Sequence, residues 1–404
     1  MSFNDSKYNE SWSTAKISDM GVFARGVSKH RPRNDKRLFE NGKYPLVQTS
    51  QVKNATLFLN SHQQEYSEFG LAQSKLWDAG TLCITIAANI AETAVIAYPM
   101  CFPDSVVGFT ATPGKTTEIF VYYIFSSMRQ MIQNSASGSS QDNINLDYLS
   151  RLDFRFPPKV EQDRIESMLS SLDKKICCNN KTSADLEALI QLIYDYWFVQ
   201  FDFPDENGKP YKSSGGKMVW NEELKREIPE GWFVDSIGTL ITEREKSSVQ
   251  VGETGGHYGT IPFFTSGDEI IMYDSAFTSG RNCFLNTGGN ADVKYYIGDA
   301  AYSTDTWCIT ADDYSSYLYE YMDSIRKYLD ISFFAGSGLK HLQKDAFKNH
   351  KILIPPKTLI EKYNETADKC FSKVSEIKIE NQSLSELRDF LLPMLMNGQV
   401  KIKA

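Results

Sequence analysis

Between Arg25 and Arg37 the chain places six cations, Arg25, Lys29, Arg31, Arg33, Lys36 and Arg37, against one acid, Asp35. Guanidinium and ammonium groups at that density suit phosphate oxygens, which accept charge-assisted hydrogen bonds. A solvated loop is the other reading of such a run. The whole chain has a net charge of −8 and a pI near 5.4, which alone disfavours nucleic acid. A local excess of +5 inside an acidic chain means that charge is sorted over the surface.

Catalytic groupings are sparse. FFAGSG (333–338) follows the apolar run ISFF and fits the F-x-G-x-G fingerprint of an S-adenosylmethionine pocket. A glycine turn satisfies the same residues, and the N/D-P-P-Y/F motif of an amino-methyltransferase is absent. No phosphate-binding P-loop, G-x-S-x-G, H-E-x-x-H or PD…ExK pattern occurs, and Asp19, Asp78, Asp104 and Glu118 stand as single carboxylates, read as surface or capping groups. The seven cysteines (83, 101, 177, 178, 283, 308, 370) and five histidines (30, 62, 257, 341, 350) have no metal-ligand spacing. The expectation is no metal, and reduced thiols packed in a cytoplasmic protein.

What must position the basic run is an α+β scaffold organised by two long helices. Ile165, Leu169, Leu172, Ile176, Asn179, Ser183, Leu186, Ile190, Ile193 and Trp197 step by four and three, a heptad seam with polar residues at its middle. Displaced by 198, the pattern returns as Tyr363, Ala367, Cys370, Val374, Ile377, Asn381, Leu384 and Leu391, with Arg388 as the misfit. The repeat extends upstream: Pro157-Pro158 matches Pro355-Pro356, and YPLVQTSQ (44–51) echoes IPFFTSGD (261–268). Gly338 then falls where the first copy has its own turn, near Gly138. Trp12 and Ile17 match Trp232 and Ile237 at an offset of 220, so the first copy is 22 residues longer.

Each helix follows its own globular segment. The spacing predicts strands at Tyr44–Val52, Leu82–Ile86, Thr93–Ala97 and Leu152–Phe156, and a helix over Ile119–Gln133. In the second copy strands fall at Ile261–Phe264, Asp292–Ile297 and Lys351–Ile354. The expected domains are 1–157, a first helix 158–200, a connector 201–231, a second globular segment 232–356, and a second helix with tail 357–404, broken near Pro393 and Asn397-Gly398. The aromatics of the connector, Phe201, Phe203, Tyr211 and Trp220, are expected to pack down. With 404 residues, 41% apolar and 23% charged, this is ordinary soluble composition. Leu82 to Met100 reads as two buried strands rather than a membrane span.

An exposed seam needs a partner, and the second copy supplies one in the same chain. Antiparallel pairing would relate the copies by a pseudo-twofold axis and make the helix pair a ruler between two unlike heads. Asn179, Ser183 and Asn381 then fix its register, or mark a break in the helix.

Several stretches resemble type I restriction–modification specificity (S) subunits, and the similarity covers nearly the whole chain. They are YPLVQTSQV, GTLCITIAANIAETAVI with CFPDSVVGF, NINLDYLSRLDFRFPP, the connector from FDFP through NGKPYKSSGG to ELKREIPEGW, and the terminal LLPMLMNGQV. The resemblance implies two target-recognition domains, conserved helical regions and an antiparallel coiled coil in a non-catalytic, DNA-binding chain. It implies double-stranded DNA and two methyltransferase subunits as partners, with two restriction subunits where present. S-adenosylmethionine, and ATP with Mg where restriction occurs, would be bound by those partners and not by this chain.

On that reading the basic run contacts phosphates, while Gln48, Thr49, Ser50, Gln51, Asn89 and Gln141 lie near bases in the first head. The second-head candidates are Thr265, Ser266, Arg281, Asn282, Lys340 and His341. Hydroxyls beside a strand end also serve as turn or cap residues. The coiled-coil seam is Ile165, Leu169, Leu172, Ile176, Leu186, Ile193, Val374, Ile377, Leu384 and Leu391. Tyr194, Tyr196, Trp197, Phe198 and Phe390 are expected on outer faces, against a protein partner. A self-contained S-adenosylmethionine-dependent methyltransferase using FFAGSG and a coiled-coil scaffold with protein-binding heads are the alternatives.

Overall fold

A computed structural model describes residues 8–402 apart from 88, 138–143, 145, 255–258 and 268–269, and leaves the side chains of 135–137 undescribed. The chain forms two compact units. Unit 1 comprises Met1–Cys178 with Ser383–Ala404, and unit 2 is Asn179–Gln382.

Unit 1 begins with β1 (Ser13–Lys16), α1 (Ile17–Met20), β2 (Gly21–Arg25), β3 (Tyr44–Leu46), α2 (Thr49–Asn54), β4 (Phe58–Leu59) and β5 (Gln64–Tyr66). There follow α3 (Glu68–Ala72), β6 (Leu76–Trp77), β7 (Leu82–Thr85), β8 (Thr93–Ile96), β9 (Met100–Cys101) and β10 (Val106–Ala111). Then come α4 (Glu118–Ser137), α5 (Leu146–Arg151), β11 (Asp153–Phe156) and the long α6 (Lys159–Tyr194). The main sheet runs β2-β10-β7-β8-β4, and a second runs β5-β3-β9-β6. Every residue of β7 and β8 is buried, so these strands read as continuous apolar runs rather than alternating ones. Phe120, Val121, Ile124 and Phe125 of α4 pack on the sheet with Ile165 and Leu169 of α6.

Unit 2 contains β12 (Met218–Asn221), β13 (Arg226–Pro229), β14 (Phe233–Ser236), α7 (Ile237–Leu240), β15 (Thr242–Glu243), β16 (Ile261–Phe264) and β17 (Ile270–Tyr273). It continues with β18 (Arg281–Asn286), β19 (Val293–Ile297), β20 (Ala301–Tyr302), β21 (Thr306–Thr310), α8 (Ser315–Ser324) and α9 (Arg326–Ser332). It closes with β22 (Phe334–Ala335), β23 (His341–Leu342), α10 (Lys344–Lys348), β24 (Lys351–Ile354) and α11 (Lys357–Met396), whose last turns lie in unit 1. Its sheet β15-β21-β18-β19 repeats β2-β10-β7-β8 strand for strand, and β17-β16-β20 repeats β5-β3-β9, down to the one parallel pairing in each. The extra residues of the first copy lie between β3 and β7, where α2, β4, α3 and β6 have no counterpart between β16 and β18 beyond the single strand β17.

Within each unit the long helices are antiparallel. In unit 2 Asn179 meets Asn381, Glu187 meets Lys378, and Trp197 meets Tyr363. In unit 1 Asp173 meets Arg388, and Ile165 and Leu169 share a core with Leu391 and Leu395. The seam residues Ile165, Leu169, Ile176, Val374 and Ile377 are buried, while Leu172, Leu186, Ile193, Leu384 and Leu391 are half-buried.

Beside Leu172, Asp173 is the residue fully enclosed. Its Oδ1 accepts from Nη1 of Arg388 at 2.9 Å and its Oδ2 from the hydroxyl of Tyr123 at 2.6 Å. The Arg388 misfit is therefore one half of a buried ion pair. Burial opposes the charge on Arg388, but its bonds to Asp389 and Asp173 raise its pKa above the ordinary value.

Five local expectations change. Val47 to Val52 do not extend the first strand: Gln48 caps α2 through its backbone N–H to Oε1 of Gln51 at 3.1 Å, so the chain turns into helix. The first long helix ends at Tyr194, and Asp195–Val199 form one π turn. Pro393 does not end α11, which runs on to Met396; Gly398, at φ +62°, sits past its end. Tyr194 and Phe198 lie in the core of unit 2 rather than facing outward, whereas Tyr196 and Phe390 are exposed. In the connector Phe201 and Phe203 pack on Trp232, and Tyr211 stacks on Phe203, but Trp220 stays exposed.

Candidate nucleic-acid interface

The basic run leaves the end of β2 and lies against the short turn 102–105 that joins β9 to β10. Gly26 makes that approach feasible: a Cβ there would stand 2.1 Å from the carbonyl oxygen of Pro103. Backbone bonds from Gly26 to Val106 (2.8 Å) and from Val27 to Phe102 (3.0 Å) fasten the loop. Asp104, at the centre of the turn, anchors three of the cations. Its carbonyl accepts from Nε of Arg25 at 2.6 Å, and its carboxylate accepts from Arg33 at 2.7 and 2.8 Å and from Arg31 at 3.4 Å. Arg31 also donates to the carbonyls of Ser28 and His30.

Further along, Asp35 caps the 3-10 turn Lys36–Leu38 and binds both Arg37 and His30. Arg37 first, and His30 next, hold its carboxyl well below the usual range. Arg37 also lies over the ring of Phe69 at 5.1 Å.

The six cations are thus set against two carboxylates, Asp35 and Asp104. Lys29 and Lys36 are exposed with no carboxylate partner among the described residues. The side chains of Arg31 and Arg33 remain 54% and 58% exposed despite their bonds. A guanidinium oriented by one carboxylate and still open on its other edges can take a phosphate oxygen without first being ordered. Asp104, read from sequence as a solitary surface carboxylate, is what orders the loop; its signal is a contact between residues far apart in the chain.

The base-contact candidates of unit 1 fall in two places. Gln48, Thr49, Ser50 and Gln51 sit together at the start of α2, where Nε2 of Gln48 donates to Oε1 of Gln64 at 2.7 Å. Gln64 was not anticipated. Asn89 lies apart, in the turn between β7 and β8, and its carbonyl accepts from Thr85. Gln141 lies outside the described residues.

Unit 2 scatters its candidates. Thr265 is buried, and its hydroxyl is engaged with Gly267 beside half-buried Ser266. Arg281 is held by Asp368 of α11, through Nε at 3.2 Å and through Nη2, and by Asp313 at 3.3 Å. Asn282 is fully buried; its amide serves Arg244, Thr278 and the carbonyls of Ser279 and Gly280, and it presents nothing to a ligand. Lys340 pairs with Asp330 at 2.7 Å, and His341 is exposed beside it, near the β18–β19 turn at Gly288.

A cluster absent from the sequence reading fills part of that gap. Lys348 lies 3.0 Å from Glu243, Lys344 lies 3.9 Å from it and 4.7 Å over the ring of Trp307, and Lys246 is exposed nearby. Burial first, with the charges of Lys348 and Lys246 added, lowers the pKa of Lys344 although Glu243 opposes them. The i,i+4 spacing of Lys344 and Lys348 was its available signal.

FFAGSG lies in a hairpin: Phe333 and Phe334 are buried in the core, and β22 leads through an exposed turn over 336–339 into β23. A cofactor loop would instead lead from its strand into a helix.

Residues 9–188 match the family model described as the type I restriction modification DNA specificity domain. Among curated proteins, the chain is 22% identical to the type I restriction enzyme MjaIX specificity subunit of Methanocaldococcus jannaschii, over 98% of this chain and 95% of that one. It is 24% identical to the HindI specificity subunit of Haemophilus influenzae, over 71% of this chain and 75% of the other. Among solved structures, the S subunit of a type I restriction–modification system from M. genitalium superposes with a TM-score of 0.63 at 16% identity, covering 97% of both chains.

Proposed function

We propose that the chain is a type I restriction–modification specificity subunit, as the matched domain and the similarity to such subunits support, and that it reads a bipartite, asymmetric DNA site, one part with each α/β head. Such a subunit is the DNA-recognition component of its system and not a catalytic one. The antiparallel helix pair sets the length of unread DNA between the two parts. Two methyltransferase subunits join it, and two restriction subunits where the host carries them. S-adenosylmethionine, and ATP with Mg for restriction, bind to those partners.

The observation that carries this reading is the repeated sheet. Both units use one strand order, yet the first inserts α2, β4, α3 and β6 where the second has β17 alone. A shared frame with unlike inserts suits two readers of different sequence. In the first head Arg25, Lys29, Arg31, Arg33, Lys36 and Arg37 contact phosphates and the Gln48–Gln51 turn lies near bases. In the second, Lys246, Lys344 and Lys348 join Lys340 and His341 as the cationic set.

Methylome sequencing of the host with and without the gene tests the proposal. A two-part methylated motif that vanishes on deletion is expected. An unchanged methylome, or loss of a short uninterrupted motif, would refute it.

A further inference from the structure

Unit 2 buries a carboxyl group that no cation among the described residues neutralises. Glu320, on α8, is 5% exposed, and its carboxylate takes part in no hydrogen bond or ion pair among the described residues. Every charged group acting on it is another carboxylate: Asp323 on α8, and Asp195 and Glu187 on α6 and the π turn that ends it. Tyr319 of α8, Tyr194 of α6 and Tyr363 of α11 complete its surroundings. The hydroxyl of Tyr363, 1% exposed, also has no hydrogen-bond partner among the described residues. Of the cations nearby, Lys378 lies 3.7 Å from Glu187, Arg326 pairs with Asp323 and Asp292, and Arg226, over the ring of Phe201, acts on Tyr317 and Tyr321 of α8 and not on Glu320. A nearly buried acid with no counter-charge and an enclosed hydroxyl with no partner, both among the described residues, cost stability and point to a group supplied from outside the folded chain.

Beside this acid, the end of α6 and the π turn after it leave an apolar stripe uncovered. Leu189 and Leu192 of α6, three residues apart on one face, and Tyr196 and Val199 of the π turn are 42%, 65%, 38% and 49% exposed. Asp195 and Glu187 lie on the same helix between that stripe and the face turned to the core.

We propose that Glu320, with Glu187 and Asp195 at its rim, receives one Lys or Arg side chain from the polypeptide that covers the Leu189–Val199 stripe. Charge complementarity sets the occupant: an apolar surface edged by four carboxylates, with no cation among the described residues acting on Glu320, fits an amphipathic helix carrying a basic residue. On the function proposed above, on which this inference rests, that polypeptide is the methyltransferase subunit. The arriving cation requires the ionised carboxylate, so assembly releases a proton.

The test is calorimetric titration of the full chain with its cognate methyltransferase subunit from pH 6 to 9. With the Glu320 carboxyl pushed up to about 8 by burial and by its acidic neighbours, association should tighten about a hundredfold across that range. E320Q should flatten the rise and bind at least tenfold more weakly at pH 9. L192D should weaken binding at every pH and leave the rise in place, which separates the stripe from the acid. Circular dichroism at pH 5 checks that both variants are folded. Wild-type binding that is flat with pH, or E320Q binding equal to wild type, overturns the proposal while leaving the assembly reading intact. Wild-type chain that fails to assemble at any pH defeats both.

Discussion

Arg388 gives the sharpest test of how the helices are held in unit 1. In Arg388→Ala the carboxylate of Asp173, whose side chain is 0% exposed, keeps only the hydroxyl of Tyr123. Burial first, and then the charge of Asp173, push that hydroxyl far above its usual pKa, so it stays a donor and cannot supply charge. Stripping one partner from a buried pair costs roughly 3–5 kcal/mol. The reverse change, Asp173→Ala, leaves an arginine with 22% exposure and a second carboxylate, Asp389, at 2.9 Å; it should cost less, about 1–2 kcal/mol. Replacing both by leucine restores an apolar seam and should come within about 1 kcal/mol of wild type. Urea denaturation of wild type, the two single alanine variants and the double alanine variant, read as a double-mutant cycle, yields a coupling of about 2 kcal/mol or more, with the double leucine variant measured beside them. If Arg388→Ala loses less than about 1 kcal/mol, or the double leucine variant is no more stable than the worse single variant, the pair does not organise this seam.

Glu320 ties stability to pH. Its folded pKa is raised from 4.5 to about 8, so between those values the folded chain keeps a proton that the unfolded chain gives up, and stability falls as pH rises. The ceiling is about 5 kcal/mol, and water penetration brings the expectation to ~2 kcal/mol. E320Q should therefore match wild type at pH 4 and exceed it by that amount at pH 8.5 in thermal melts of the isolated chain. Arg31→Ala with Arg33→Ala should lower DNA affinity of the assembled complex equally for all sequences and reduce the salt slope by about 2; an unchanged slope removes these residues from the phosphate set. Gly26→Ala should detach the loop from the Pro103 carbonyl and weaken DNA binding by about tenfold with little change in melting temperature, since the loop lies outside the core. Lys344→Ala with Lys348→Ala should lower the slope similarly if unit 2 uses that cluster; identical titration curves would exclude it.

Much of the frame was legible because it repeats. Heptad spacing located both long helices, and apolar runs located β7, β8, β16 and β24, since burial on both faces writes itself as continuous Val, Ile, Leu and Phe, while β11 shows as the alternation of DFRF. Legibility failed where a long-range contact sets the local outcome. Gln48 to Val52 has strand-like composition, but capping by Gln51 turns it into helix. Tyr194 and Phe198 looked like outward aromatics on a two-helix seam because the core that receives them, Tyr317 and Trp232, lies more than thirty residues downstream. Asp173 was passed over because a carboxylate scores as surface until its arginine, 215 positions away, is placed beside it. The candidate site divides the same way: the cations of the Arg25–Arg37 run could be counted from sequence, but which acid orders them could not.

Both copies use one device for their inward-facing polar groups. In unit 1 the seam position of Arg388 is closed by Asp173, the residue beside Leu172. In unit 2 the corresponding middle of the seam is occupied by amides: Asn179 donates to Glu380 at 2.8 Å and to Asn381 at 2.9 Å, and Asn381 donates to Asn180 at 2.7 Å. Leucine at these positions would stabilise the pairing but accept several registers, because apolar side chains slide past one another at little cost. Hydrogen-bonded partners accept one register, since a shift of one turn leaves buried donors and acceptors unpaired. If the helix pair sets the separation of two DNA readers, a slip of one turn, about 5.4 Å, exceeds the roughly 3.4 Å rise of a base pair. Stability is the quantity such a protein can give up and register is the one it cannot. Asn179→Leu with Asn381→Leu should accordingly raise the melting temperature while broadening the set of spacer lengths that the assembled complex methylates; a more stable variant with an unchanged, single spacer would show that register is held elsewhere.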